Sequence, residues 1–192
     1  MQDNQLEYRL IEQAKSGNES AFIRLVERYK DKIYYLGLRM LRSAQDAEDV
    51  AQETFLRVYT NLHRFDAKHR FSTWIYRIAS NLCIDRIRKR KPQYSLDEPI
   101  EGGEGGQDWY SRQAADELTP EESVIALETR TRVLDALEHL PAHYRAVIVL
   151  RYFHDLSLAE IGEVLSLPVT TVKTRVHRGR EALRRILLSL DK

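Results

Sequence analysis

The apolar residues of this chain recur every three or four positions, which is the period of an α-helix. The clearest stripe runs through Leu25, Tyr29, Ile33, Leu36 and Met40. Residues at this spacing share one face of a helix, so the stripe can pack against a core while the other faces meet water. No alternation of apolar and polar residues, as in a β-strand, is sustained beyond a few positions. The sequence therefore predicts an all-α fold.

Charge divides this helical chain into two small domains. Between Pro92 and Glu122 there are nine acids and one base, which gives the segment a charge of −8, although the whole chain is at +1. A segment rich in glycine and acids, without helical periodicity, is typical of a linker. We predict a helical domain over residues 1–92, a flexible acidic linker over 93–118 and a second helical domain over 119–192. A threonine cap followed by proline, Thr119-Pro120, marks the start of the second domain.

Composition also excludes several classes of protein and site. Cys83 is the only cysteine, so the chain forms no internal disulfide and no zinc site built on several thiolates. The chain starts with polar residues and has no apolar run of membrane-spanning length, which predicts a cytoplasmic protein. The glycine-rich segment lacks the lysine of a phosphate-binding loop, and His139 and His143 have no third ligand nearby. We expect no metal, no cofactor and no small-molecule substrate.

The C-terminal residues have the pattern of a helix-turn-helix unit. Ser157 and Glu160 stand at capping-box spacing, and a short break at 166–168 precedes another amphipathic helix. In such units the second helix enters the major groove of DNA. Its outward residues are hydroxyls, one imidazole and cations: Thr170, Thr171, Lys173, Thr174, Arg175, His177 and Arg178. Arginine can pair with guanine through two hydrogen bonds, so we predict DNA binding here, against the alternative of a merely solvated basic face.

Two predicted helices of the first domain carry opposite charges. The helix that begins near Ser72 mixes aromatic residues with cations, a combination that holds single-stranded nucleic acid, although an aromatic residue such as Trp74 also suits a core. The helix before it is acidic through Asp46, Asp49 and Glu53 and would repel nucleic acid. Acids are favourable at a helix N-terminus, and a basic protein partner is the alternative explanation.

In four segments the chain resembles the extracytoplasmic-function (ECF) sigma factors of bacterial RNA polymerase, members of the sigma-70 family. These segments are AEDVAQETFLRVY (47–59), FSTWIYRIASNLCIDRIRKRK (71–91), LPAHYRAVIVLRYFHDLSLAEIGEVL (140–165) and PVTTVKTRVHRGREAL (168–183). They occur in the order and at the separations of that family, and the likeness covers nearly all the chain. The linker around Trp109 and Tyr110 is most similar to that of Bacillus-type cell-envelope stress factors.

The resemblance implies roles for particular residues. The acidic helix would dock on the clamp helices of the largest subunit of core polymerase through Asp49, Gln52 and Glu53, supported by Phe55. The next helix and the loop before it would bind and melt the minus-ten promoter element through Phe65, Trp74, Arg77, Asn81, Arg86, Arg88 and Lys89. The last helix would read the minus-thirty-five element. A cognate anti-sigma factor, which in that family is often membrane-anchored, is a further implied partner. Bond formation would belong to the polymerase, so no enzymatic activity is expected.

Two other functions fit parts of the sequence. A stand-alone helix-turn-helix regulator would bind DNA without polymerase, and it would leave the acidic helix unexplained. A nuclease would need a cluster of carboxylates for metal ions, and the acids of that helix could be argued for this role, although they lie along a surface helix. The acidic linker raises a separate hypothesis, that it lies in the cationic channel of the polymerase through which nascent RNA passes.

Overall fold

The computed structural model describes residues 2–90 and 131–190, and within these ranges every regular element is helical. The first domain contains α1 (Gln2–Lys15), α2 (Glu19–Leu41), α3 (Ala44–Asn61), a 3₁₀ turn (Leu62–Arg64) and α4 (Phe71–Arg90). In the second domain residues 131–138 are helical, followed by α5 (Ala142–Tyr152), α6 (Leu158–Leu165) and α7 (Val169–Leu190). The all-α prediction is confirmed. The predicted linker, with its proposed place in the polymerase channel, and the helix start at Thr119 lie outside the described residues.

Side-chain caps fix where three of these helices begin. The Asn18 side chain accepts a hydrogen bond from the Ala21 amide (3.1 Å), and the Ser43 hydroxyl accepts one from the Asp46 amide (3.2 Å). At the start of α6 the predicted capping box is complete, with Ser157 and Glu160 bonded reciprocally. Each cap satisfies amides that lack partners within the helix, which is worth about 1 kcal/mol per cap.

The core of the first domain forms around the predicted stripe of α2. Leu25, Ile33, Leu36 and Met40 are all buried, and the stripe of α3 faces them. Helical spacing groups Leu6 with Leu10 and Ile11 on α1, but the structure buries only Leu10 and Ile11 of these three and leaves Leu6 43% exposed. The adjacent Glu7 turns inward instead and accepts a hydrogen bond of 2.6 Å from the Tyr29 hydroxyl.

Two glycines allow the helix-turn-helix unit to pack closely. Ser166 adopts a left-handed conformation (φ 55°) at the end of α6, and the Leu167 amide donates to the Gly162 carbonyl at 2.9 Å. A Cβ on Gly162 would lie 2.8 Å from the Leu167 carbonyl oxygen, a distance that real Cβ atoms do not adopt. On α7, a Cβ on Gly179 would lie 3.1 Å from Ile148 of α5. The turn and the crossing of α7 over α5 therefore depend on these two positions.

The two domains pack directly against each other. Helices α2 and α4 contact α5, and α4 also contacts α6, so one hydrophobic core continues through both domains. Arg145 of α5 is buried at this junction and donates to the Met40 carbonyl of α2 (2.5 Å). At its edge Arg42 pairs with Asp135. Nothing in the sequence predicted this arrangement, which places the first helix of the helix-turn-helix unit on α4.

Candidate protein and nucleic-acid interfaces

The first candidate surface is the acidic face of α3. Gln52 is exposed on this face, and the carboxylates of Asp49 and Glu53 are partly exposed one turn apart. Glu53 pairs with Arg57 at 2.7 Å along the helix. Phe55 is half-buried and packs against the core, where it can support the helix from behind. The three polar side chains together form a patch whose charge suits a basic protein surface.

The basic end of α4 lies directly against this acidic face. Arg86 Nη1 is 3.0 Å from Asp46 Oδ1 and 3.3 Å from Asp49 Oδ2, and Arg90 also pairs with Asp46. The hydrogen bond from Ser43, followed by that from Arg90, lowers the pKa of Asp46 and keeps this carboxylate charged. Asp46 therefore has a second role besides its favourable position at the start of α3, because it also joins α3 to α4 through Arg86 and Arg90. The sequence did not reveal the pairing, because Arg86 and Asp46 are 40 positions apart.

A groove of about 650 Å³ runs between α3 and α4. Its lining includes Asp49, Gln52 and Glu53 from α3, together with Arg86 and Lys89 from α4. The fold thus brings three residues assigned to polymerase binding next to two residues assigned to DNA binding.

An aromatic cluster supports the loop that precedes α4. The ring centroid of Phe65 lies 5.5 Å from that of Phe71 and 5.2 Å from that of Trp74. Phe65 is only 6% exposed, whereas Trp74 is half-buried. Lys15 of α1 donates to the Phe65 carbonyl at 2.9 Å, and its ammonium lies 5.6 Å from the centre of the Phe65 ring. In this arrangement Phe65 shapes the loop from the core, and its contact with DNA stays a prediction.

A row of side chains follows one side of α4. Trp74, Arg77, Asn81 and Arg88 stand at intervals of three, four and seven residues, which places them along one face. Arg77, Asn81 and Arg88 are exposed, as is Lys89 beside them. Donors and cations arranged in this way can follow a nucleic-acid backbone, with the aromatic edge of Trp74 at one end of the row.

The N-terminal half of α7 is a further candidate surface, besides the acidic face of α3 and the row along α4. Thr170, Lys173, Thr174 and Arg178 are exposed there, and Thr171, Arg175 and His177 are half-buried. The Thr174 hydroxyl donates to the Thr170 carbonyl at 3.1 Å, so that its oxygen remains available as an acceptor. All seven predicted residues thus lie within the first three turns of α7, where a recognition helix contacts base edges.

Several polar contacts at the junction of the domains were not predicted from the sequence. Arg70, directly before α4, pairs with Glu160 of α6 at 2.6 Å. Arg77 donates to the Glu163 carbonyl at 3.0 Å. Arg70 stands among other cations in its loop, which could have indicated a binding role. Its partner Glu160 lies 90 positions away, and no local sequence pattern predicts that pairing.

The described residues provide no evidence of a metal centre. Within residues 2–90 and 131–190, no group of three or more histidine, cysteine or acidic side chains is placed to hold an ion. His139 Nδ1 lies 3.0 Å from the Asp135 carbonyl, and the His143 ring packs against Tyr144. Burial raises the pKa of Cys83 to about 12, which keeps it a thiol. No helix in the described ranges is long and apolar enough to cross a membrane.

Comparisons with known proteins identify the family. The family models for Sigma-70 region 2 and Sigma-70, region 4 match residues 25–93 and 130–183. The chain is 53% identical over 180 residues to the ECF RNA polymerase sigma factor SigW of Bacillus subtilis, which covers 94% of this chain and 96% of that protein. The chain belongs to the ECF sigma factors. It is also 36% identical to the RNA polymerase sigma-H factor of Pseudomonas aeruginosa, over 94% of this chain and 93% of that protein.

Solved structures agree with this ECF sigma assignment. CnrH, solved in complex with the cytosolic domain of CnrY, has a TM-score of 0.70 at 28% identity and covers 97% of this chain and 99% of its own. The sigma factor RpoE of Bartonella quintana, solved with the anti-sigma factor NepR, has a TM-score of 0.61 at 21% identity, over 89% and 98% of the two chains, and supports the fold alone. The predicted family is therefore confirmed. The function of this family, transcription initiation, is preferred to those of a stand-alone regulator and a nuclease.

Proposed function

We propose that this ECF sigma factor binds core polymerase through the acidic face of α3 and places α4 and α7 on the two promoter elements. One observation carries the proposal: an acidic patch and a row of exposed cations lie on adjacent helices of one domain. A protein surface can occupy the patch while nucleic acid follows the row, because each charge attracts one of the two ligands. The hydroxyls and cations of α7 are then available for the minus-thirty-five element.

The anti-sigma factor is the second proposed partner. CnrH, whose fold matches almost the whole of this chain, was solved with the cytosolic domain of CnrY. We infer that an anti-sigma factor holds this sigma factor inactive until a cell-envelope stress releases it. The proposed site of action is the cytoplasm, where core polymerase and promoters are found.

Catalysis is assigned to the polymerase and not to this chain. The acids that a nuclease would need for metal ions are engaged elsewhere, because Asp46 and Asp49 pair with Arg86. A carboxylate neutralised by a guanidinium is a poor ligand for magnesium. The proposed domain limits, with the first domain at 1–92 and the second at 119–192, follow the charge switch and the end of α4 at Arg90.

Run-off transcription tests the proposed function. Purified core polymerase is combined with a pool of promoter fragments, with and without this protein. We expect specific transcripts only when the protein is present, and their start sites identify both promoter elements. Binding of the same DNA by the protein alone, with no transcript from the polymerase, would replace this function with that of a regulator.

Replacing Lys15 with methionine should weaken promoter melting several-fold. The variant loses the hydrogen bond to the Phe65 carbonyl and the cation–π contact, each worth about 1 kcal/mol, and releases the loop before α4. Permanganate reactivity of the minus-ten thymines in the polymerase complex measures the effect. As a control, Lys30→Met removes an exposed lysine that pairs with Glu27 on α2. Equal melting by wild type and the Lys15 variant would contradict this role.

A further inference from the structure

The polar residues between α4 and α6 form an interface that covers part of the DNA-binding row. We define the minus-ten surface as Arg70, Trp74, Arg77 and Asn81. Glu160 of α6 pairs with Arg70 at 2.6 Å, and the Glu163 carbonyl accepts from Arg77 Nε at 3.0 Å. Two cations of this surface are thus occupied by the second domain of the same chain.

Helix α6 offers these cations the same chemistry as a DNA backbone. A guanidinium binds a carboxylate and a phosphate through similar geometry. The Glu163 carbonyl lies in the last turn of α6, where backbone oxygens lack helical partners and carry partial negative charge. A groove of about 440 Å³ beside these contacts is lined by Lys68, His69 and Arg70 on one side and by Ser157, Glu160 and Glu163 on the other. Lys68 and Arg70 therefore line the same groove as Glu160 and Glu163.

This closed arrangement excludes simultaneous contact with both promoter elements. Elements centred ten and thirty-five base pairs before the start site are roughly 25 base pairs, or about 85 Å, apart along B-form DNA. Here the helix-turn-helix unit is within hydrogen-bonding distance of the minus-ten surface. The two domains must separate before both elements can be bound.

The contacts at this junction are of a kind that can open. The Arg70–Glu160 pair is partly exposed, and pairs of this type contribute at most about 1 kcal/mol. Behind it the Tyr76 hydroxyl and His154 Nδ1 are 3.1 Å apart. Burial, followed by the charges of Arg39 and Lys32, lowers the pKa of His154 to about 4, so the ring is neutral at physiological pH. The apolar contacts of α2 and α4 with α5 must open as well, so polymerase and promoter contacts have to offset these together with the polar contacts.

We propose that the acidic face of α6, formed by Glu160 and Glu163, is an internal competitor for the promoter strand at the minus-ten surface. In the free protein this face holds Arg70 and engages Arg77, and it leaves when the domains separate on polymerase and promoter. The proposal rests on the function proposed above, because it takes the minus-ten surface as the site of DNA binding. It adds that the second domain itself covers that site, with no anti-sigma factor required.

Neutralising the two acids tests the proposal in the full-length chain. Glu160→Gln keeps the capping box, since glutamine serves at that position as well as glutamate, and Glu163→Gln changes an exposed side chain. The probe is fluorescently labelled single-stranded DNA that carries the minus-ten sequence found by run-off transcription. We expect the double variant to bind it about 3- to 10-fold more tightly than wild type, because it loses the Arg70–Glu160 ion pair and the Glu163 charge that lines the same groove as Lys68 and Arg70, while the Glu163 carbonyl remains. Glu27→Gln combined with Asp31→Asn, which removes two acids from exposed positions of α2, controls for net charge.

A second measurement follows the position of the domains. Dyes on cysteines introduced at Arg57 and Arg184, both exposed, report the distance between α3 and α7 in a Cys83→Ala background. We expect lower transfer efficiency in the double variant than in wild type. Unchanged strand affinity, or a gain equalled by the Glu27→Gln/Asp31→Asn control, overturns the competition by α6, while run-off activity still supports the proposed function. Absence of run-off transcripts with every variant and with wild type would overturn the proposed function itself.

Discussion

Replacing Glu53 with lysine should reduce run-off transcription about 30-fold or more. Its carboxylate lines the groove between α3 and α4 and is 39% exposed, so a partner can reach it. Reversing the charge places a cation against the basic surface proposed for the polymerase, and losing a charge pair at an interface costs about 2–5 kcal/mol. Within the chain the change removes the pair with Arg57, worth roughly 0.5 kcal/mol, so the fold is retained.

Glu53 is a sharper probe of the patch than Asp49. Asp49 also accepts from Arg86, so its reversal would disturb the packing of α3 on α4 and mix a loss of binding with a loss of structure. Glu48→Lys is the matched control, since Glu48 is exposed on the same helix but does not line the groove. Equal losses of transcription in the two variants would show that net charge, not the patch, sets the affinity for polymerase.

Replacing Arg145 with methionine should lower the free energy of unfolding by about 3 kcal/mol. The guanidinium is 5% exposed and donates to the carbonyls of Met40, Glu138 and Leu140. Burial lowers the pKa of Arg145, because the charged guanidinium loses its hydration. In the described residues no carboxylate is hydrogen-bonded to it, so the three carbonyls replace the lost hydrogen bonds to water. Methionine fills similar space but leaves these oxygens without a donor, and each orphaned buried group costs about 1–3 kcal/mol.

Denaturant titration followed by circular dichroism measures this loss. Arg145→Lys should recover part of it, because a lysine ammonium can satisfy some of the carbonyls but lacks the planar fork of a guanidinium. Because Met40 belongs to the first domain, Arg145→Met should also lower transfer efficiency in the dye experiment. Stability of the methionine variant within 1 kcal/mol of wild type would mean that the buried carbonyls find other donors.

Local sequence patterns predicted the helices and their ends because the responsible contacts span only a few residues. The caps at Asn18, Ser43 and Ser157 bond to amides three positions away, and the stripe of α2 follows directly from helical geometry. The same patterns placed the seven candidate DNA-binding residues at the start of α7, and their contact with DNA stays a prediction. Leu6 is exposed although its spacing groups it with Leu10 and Ile11, because periodicity alone does not show which turn of α1 faces the core.

The sequence by itself determined the helical class, the division by charge and the family, because these depend on residue type and spacing along the chain. The tertiary structure alone decided the pairing of Arg86 with Asp46 and Asp49, the burial of Phe65, and the contact of Arg70 with Glu160. These contacts join residues from different helices, many of them tens of positions apart. Their partners depend on how the helices pack, which local periodicity and charge do not specify.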